Sequence, residues 1–443
     1  MLLIPVAAEN PEMQSSSNCN MACSRHFMMV AMDFERGYVL RLALLVALVL
    51  AGWVGTAFAQ SDDVRRIGLF VSAQGSYEDN VLRQPKNFPL TPGFTREDFR
   101  LSPALNIDIV QPIGGQKLTL VGGFGYDFYN KNKRLERERI NLVGNLDLKV
   151  GPNCTPKLGV SYLRQQSDLA DFFALTNVRL RNREQRLVYS ASVKCGGVVG
   201  LRPGLSIERT NAKNSAFLRR IGNFNQTSYG VSLGYVTPTL GEVSLFGNYR
   251  RGNYPNRGRF AIGSGSVGDN VGVYSGGVRL QRDIGTRLKG NVSLGYTKAD
   301  PSIPGTRGFS GASGSADLTA QLLDNLQAVI GYSRTVEQSN RLDVSFSVNS
   351  SYSINANYIL NPRFSLTAGA SRINRRLSDS LLLAPNLLGR NDRTSQVSAG
   401  ARYRPGIAPI SFLLNATKAF RKSETGFFDY DATTVSLTAN YNF

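Results

Sequence analysis

Histidine and tryptophan are almost missing from this sequence: His26 and Trp53 are the only ones, and both lie close to the amino terminus. Past that point no imidazole is available for a catalytic triad, a general base or a His-based metal site. Cysteine is scarce too. Cys19, Cys23, Cys154 and Cys195 are all there is, and two cysteines in the body of the chain give too few ligands for a metal centre. Long apolar runs are absent apart from residues 42–55, and the mean hydropathy is -0.18. A helical membrane protein is thereby excluded. Acidic residues are the minority charge: 32 Asp and Glu face 51 Lys and Arg, a net +19 with a pI near 9.9. Such a balance normally points to nucleic acid. Here the basic residues recur singly on strand faces and in loops, not in a tail or along a helix, so no nucleic-acid partner is expected.

The one apolar run explains the start of the chain. Arg36 and Arg41 precede residues 42–55, and Ala57-Phe58-Ala59 followed by Gln60 closes the segment. A basic region, a short apolar core and a small-x-small site spell a secretory signal peptide cleaved after Ala59. Met28, Met29 and Met32 offer later starts, with translation expected to begin near Met32; Cys19 and Cys23 would then never be made. Without residues 1–59 the net charge stays near +20.

From Arg65 onward the chain is a series of alternating segments. Ile67, Leu69, Val71, Ala73 and Tyr77 mark one face of the first; Leu118, Leu120, Phe124, Tyr126 and Phe128 mark a later one; Tyr229, Val231, Leu233 and Tyr235 another. Period two means a strand with one apolar face. Each segment runs about 10–14 residues, long for a soluble strand but right for a tilted membrane strand. Gly 44 and Tyr 18 suit such a protein. The connections alternate in length. Short ones fall at 111–115, 151–155, 195–197, 237–240, 284–285, 323–325, 361–362 and 406–409. Long ones fall at 80–96, 167–181, 212–223, 252–269, 299–307 and 375–392. That rhythm predicts one up-and-down antiparallel β-barrel over residues 60–443, with about eighteen strands (16–18). The stretches 270–281 and 311–322 alternate weakly.

The final strand repeats the pattern to the end. Val435, Leu437, Ala439, Tyr441 and Phe443 alternate with Ser436, Thr438, Asn440 and Asn442. Leu437, Tyr441 and Phe443 resemble the carboxy-terminal assembly signal of bacterial outer-membrane barrels, which implies contact with barrel-insertion machinery, outer-membrane lipid and lipopolysaccharide. Cys154 and Cys195 sit in short turns separated by one hairpin. Their strand ends should be level, so a disulfide is expected in an oxidising compartment, with two free thiols as the alternative.

A barrel this wide is not filled by its own side chains. The polar faces then line water. Arg100, Lys117, Lys149, Lys157, Lys194, Arg202, Arg279, Arg287, Lys289, Arg402 and Arg421 are placed there, against Asp108 and Asp127. Arg202, Arg279, Arg287, Lys289 and Arg402 are the candidate lumen-lining cations, and rings of such residues favour anions. Pairing with neighbouring carboxylates or lipopolysaccharide phosphates is the competing explanation. The loops 252–259 and Arg375-Arg376 have a composition suited to sugar hydroxyls and anionic groups. No catalytic constellation is visible; carboxylate-only glycosidase chemistry stays open. No cofactor is called for.

One local motif is more specific. Residues 76–83, Ser-Tyr-Glu-Asp-Asn-Val-Leu-Arg, close the first strand. With the terminal Tyr-Asn-Phe and the overall length, the motif resembles the Putative beta-barrel porin 2 family on Tyr77, Asn80 and Arg83. The resemblance implies an outer-membrane pore linked to exopolysaccharide or capsule export, with polysaccharide and periplasmic export proteins as partners. The three signature residues are read only as a structural cap for the first loop. Two other readings remain: a general, anion-preferring small-solute porin, and a structural or recognition barrel that acts through its long loops.

Overall fold

The computed structural model describes residues 65–90, 92–167, 182–257, 269–285, 287–303, 306–338, 344–378, 391–406 and 409–443. The signal region and its Ala57, Ala59 and Gln60 lie outside them.

Eighteen strands follow one another: β1 (Arg66–Glu78), β2 (Asp98–Ile113), β3 (Gln116–Tyr129), β4 (Arg137–Asp147), β5 (Cys154–Gln166) and β6 (Arg183–Cys195). Next come β7 (Gly200–Asn214), β8 (Phe224–Thr237), β9 (Gly241–Tyr254), β10 (Asp269–Ile284), β11 (Leu288–Pro301) and β12 (Phe309–Leu323). The last are β13 (Leu326–Gln338), β14 (Phe346–Asn361), β15 (Phe364–Leu377), β16 (Asn391–Tyr403), β17 (Ile410–Ser423) and β18 (Tyr430–Asn442). Each pairs antiparallel with its chain neighbours, and β18 pairs with β1 from Phe70↔Asn442 to Glu78↔Thr434. The sheet is thus a closed barrel with no free edge, as backbone groups in hydrocarbon require.

The register fixes two faces. Leu69, Val71, Leu105, Leu437 and Leu414 lie in cross-strand rows of one face, and the exposed large hydrophobics come mostly from these rows. Apolar side chains that are this exposed all round a closed barrel form a lipid-facing band. Outward aromatics bound it: Tyr77, Phe99, Tyr189, Tyr229, Tyr332 and Phe420 toward the long loops, and Tyr235, Tyr403, Phe412, Tyr441 and Phe443 toward the short turns. These are the girdles expected at the two interfaces.

Three details differ from the sequence reading. The fourth strand ends at Asp147 rather than at Val150, whose amide instead donates to the Cys154 carbonyl at 2.9 Å and closes the connection. Residues 270–281 and 311–322 alternate weakly because glycine and serine occupy them, yet both are full strands. Gly277 pairs directly with Gly295, and a Cβ on Gly277 would come within 2.1 Å of the Leu294 carbonyl oxygen. Backbones this close admit no side chain. Finally, the long-loop end carries three further connections, after β3, β13 and β17.

Cys154 and Cys195 lie opposite each other in the β5–β6 register and are joined by a disulfide. Residues 60–443 are therefore expected to show no thiol reactive toward Ellman's reagent until reduced. Replacing both cysteines with serine should cost at most about 4 kcal/mol by loop-closure entropy.

Candidate functional site

The inward face of the wall is built from short polar side chains. Ser72, Ser192, Ser206, Ser228 and Ser232 stand on it by register. Many of these groups bond to one another: Asn106 Nδ2 donates to Ser72 Oγ at 3.0 Å, Thr297 Oγ1 to Ser313 Oγ at 2.7 Å, and the Ser293 and Ser315 hydroxyls meet at 2.8 Å. Such a wall offers hydroxyls and amides to water or to a hydroxylated solute.

Charges on this wall come largely in opposite-sign pairs. Arg66 meets Asp108 at 2.6 Å and Lys157 meets Asp147 at 3.3 Å. Glu242 takes both Lys194 and Arg202, the latter at 3.3 Å, and Arg202 Nε also donates to the Gly197 carbonyl at 2.8 Å. Asp392 takes Arg375 at 2.8 Å and Arg421 at 2.7 Å. Asp127 accepts from Ser102 at 2.6 Å, and Arg100 lies over the Tyr129 ring. Lys117 stands inward opposite Asp147. Arg279, Lys289 and Arg402 also stand inward; Arg279 lies over the Phe246 ring, and none of the three has an ion pair among the described residues. Arg287 is not on the wall. It belongs to the β10–β11 turn, where its carbonyl accepts from the Gln321 amide of β12 at 2.7 Å and its guanidinium meets the still more exposed Asp324 of the next short turn at 3.3 Å. Lys149 is likewise in a connection, its amide donating to Gln116 Oε1 at 2.7 Å.

The net basic excess of the strands lies on the other face. Arg164, Arg183, Arg209, Lys213, Arg251, Lys298, Arg372, Arg393, Lys418 and Lys422 occupy outward positions near the long-loop end. Among the described residues only Glu138, Asp300 and Asp431 answer them there. The sequence signal for this was present: each of these cations continues the apolar parity of its strand toward the long-loop end.

The lumen narrows at the long-loop end. The β12–β13 ladder stops at Gly314↔Arg334, while β11–β12 continues to Phe309 and β13–β14 to Gln338↔Phe346. Freed from β12, the β13–β14 end folds inward and crosses to β9–β11. Val336, Phe346 and Val348 pack on Val271, Val273 and Ala299, all buried. Arg250 Nη2 donates to the Val336 carbonyl at 2.6 Å, and the Tyr254 hydroxyl to the Ser345 carbonyl at 3.1 Å. At the centre Asp269, fully buried, takes Arg257 at 3.2 Å and the Ser345 hydroxyl at 3.0 Å; Arg257 also donates to the Val344 carbonyl at 2.6 Å and stacks on Tyr254. Arg257, read from the sequence as part of a sugar-contacting loop, is in fact the buried half of this latch. Residues 258–268 and 379–390 of the two loops singled out from the sequence lie outside the described residues.

The signature residues meet at the closure seam. Asn80 is buried; its Nδ2 donates to the Gln84 carbonyl at 2.9 Å and to the Asp431 carbonyl of β18 at 3.0 Å, and its Oδ1 accepts from the Gln84 amide. Arg83, at φ 50, faces the Tyr430 ring at 5.7 Å. Tyr77 donates to Glu97 at 3.0 Å, and the Lys131 ammonium, 2.8 Å from Glu97, holds that carboxyl below its ordinary range. Asn80→Ala leaves buried backbone groups unpaired and should cost about 1–3 kcal/mol. A lowered midpoint in heat-modifiable gel mobility is the expected outcome. Leu437 and Tyr441 face outward on the other half of the seam, and the Phe443 amide donates to the Leu69 carbonyl at 3.0 Å.

Comparison with known proteins gives a family and a set of barrels. The model of the Putative beta-barrel porin 2 family matches residues 115–443. Among curated proteins none matches the chain. Pseudomonas aeruginosa OccK3 (OpdO) is similar at 12% identity and TM-score 0.42, covering 85% of this chain and 95% of its own. The siderophore receptor PirA from Acinetobacter baumannii is similar at 8% identity and TM-score 0.44, covering 87% and 81%. Acinetobacter baumannii OccAB3 is similar at 11% identity and TM-score 0.43, covering 85% and 99%.

Proposed function

The chain belongs to the Putative beta-barrel porin 2 family, and from that premise we propose that it is an outer-membrane pore for a large hydrophilic solute, with exopolysaccharide export as its specific task. The observation that carries this reading is the inward wall. Its serine, threonine and asparagine ladder and its largely paired charges suit a chain of sugar hydroxyls. The sequence pointed to an anion-selective lumen, but the basic excess stands outside it. Weak ion selectivity is therefore expected, the residual anion preference resting on Arg279, Lys289 and Arg402. The short turns face the periplasm, where export proteins would deliver the chain and the energy. The long loops face outward, and the seam strand with Leu437, Tyr441 and Phe443 is what the insertion machinery reads. No cofactor takes part.

Planar-bilayer recording of refolded residues 60–443 tests the reading. Open channels with a reversal potential near zero in a salt gradient, blocked reversibly by neutral oligosaccharides as readily as by acidic ones, are expected. Strong anion selectivity without sugar block would make it a small-solute porin instead. Silence from a correctly folded barrel would favour the recognition barrel.

A further inference from the structure

Where the β13–β14 end leaves the wall, a notch opens on the outward side. It is lined by outward residues of β13 to β17, with the Phe309 ring of β12 at its edge. Four cations converge in it: Arg334, Arg376, Arg393 and Lys422. None has a carboxylate partner among the described residues. Arg334 lies 6.0 Å from the Phe309 ring, and its Nε is buried without a hydrogen-bond partner. Among the described residues the one acid that lines the notch from an outward position is Glu424, which is engaged by the Asn391 amide at 3.2 Å. Arg375 and Asp392 also border it, but they are paired with each other at 2.8 Å.

Four cations in one recess, with no carboxylate partner among the described residues, repel one another at a cost that an anion relieves. Three guanidinium forks match phosphate oxygens in particular. The level of the notch identifies the source. Arg334 is two residues beyond the outward Tyr332, and Lys422 two beyond the outward Phe420. At a rise of about 3.4 Å per residue, the cations stand just above the aromatic girdle, at headgroup height. The four cations stand at outward positions of β13, β15, β16 and β17, on the face of the wall turned away from the lumen.

We propose that this notch is a specific site for a phosphate group of an outer-leaflet glycolipid of the lipid A type, which occupies the gap left in the wall by the infolded hairpin. The site is independent of what the lumen carries.

Native mass spectrometry of the detergent-solubilised barrel, titrated with bisphosphorylated lipid A, tests it. The wild type should retain one tightly held lipid A and lose it when the lipid is enzymatically dephosphorylated. Removing one charge-assisted contact should weaken retention roughly tenfold, so Arg334→Gln alone should show it, and the fourfold variant with Arg376→Gln, Arg393→Gln and Lys422→Gln should retain none. Arg282→Gln, an outward cation at the short-turn end, should leave retention unchanged, and heat-modifiable mobility confirms that each variant is folded. Equal retention by wild type and a folded Arg334→Gln or fourfold variant overturns the site, as does equal retention of dephosphorylated lipid A. Displacement of the lipid by inorganic phosphate, with phosphate bound alone, would assign the notch to a free anion and overturn the lipid assignment.

Discussion

Asp269→Ala raises the single-channel conductance several-fold while the barrel stays folded. The reason lies in what Asp269 holds. Its carboxylate is completely buried between Arg257 and the Ser345 hydroxyl, and Arg257 in turn grips the Val344 carbonyl. Deleting the acid takes the buried carboxylate away from the Arg257 guanidinium, which lies over the Tyr254 ring. Breaking a buried pair from one side costs about 3–5 kcal/mol. The docked hairpin end is held otherwise by a small apolar cluster and a few hydrogen bonds, so a loss of that size is enough to shift it from docked to free. The wall itself loses nothing, because the β9–β10 ladder has Asp269 only as its last pair, with Tyr254. Asp269→Asn keeps the hydroxyl contact and should give a smaller increase. Unchanged conductance in a folded Asp269→Ala protein would show that the hairpin does not narrow the pore.

Leu437→Arg and Thr438→Arg are neighbours with opposite expected outcomes. Leu437 faces lipid near the middle of β18, in register with Gly75 and Leu414. Thr438 faces the lumen, opposite Gln74 and Leu413. Arginine on the lipid face near the bilayer midplane costs about 2–4 kcal/mol, whereas on the water side it snorkels into solvent at little cost. Both positions also lie on the closing strand, so a destabilised β18 fails to seal against β1. Folded barrel measured by gel mobility after membrane extraction should collapse for Leu437→Arg and stay near wild type for Thr438→Arg. Equal yields would mean that the faces are not as the register has them.

Most of the fold was legible because a membrane barrel must repeat one rule. Alternation and turn length alone predict a barrel of about eighteen strands (16–18), since every strand solves the same solvation problem. What alternation did not reveal has specific causes. Arg257 looked like a loop residue because burial of a cation depends on a partner twelve positions away and on Val344, far off in sequence. The inward turn of β13–β14 leaves the alternation of Val336 and Val348 intact, so nothing local distinguishes packing on lipid from packing on the opposite inner wall. The basic residues were read as recurring on the polar faces of the strands and in loops. Beyond the girdle the strands depart from that: Arg393 and Lys422 keep outward parity at headgroup level. Arg287 was assigned from the parity of a strand that begins only at Leu288. Asn80 was recognisable as part of a motif, but its bond to the Asp431 carbonyl, which pins the first loop to the last strand, becomes visible only when the barrel is closed.

The most direct measurement is cysteine accessibility along β18 in the membrane-embedded protein. Single cysteines at Thr434, Thr438, Asn440 and at Val435, Leu437, Ala439, Tyr441 would be challenged with a membrane-impermeant thiosulfonate, Cys154 and Cys195 being tied in their disulfide. A water-filled, hydroxyl-lined lumen requires that the first set react and the second stay silent. Silence at Thr438 and Asn440, or equal labelling of Leu437 and Thr438, would contradict it.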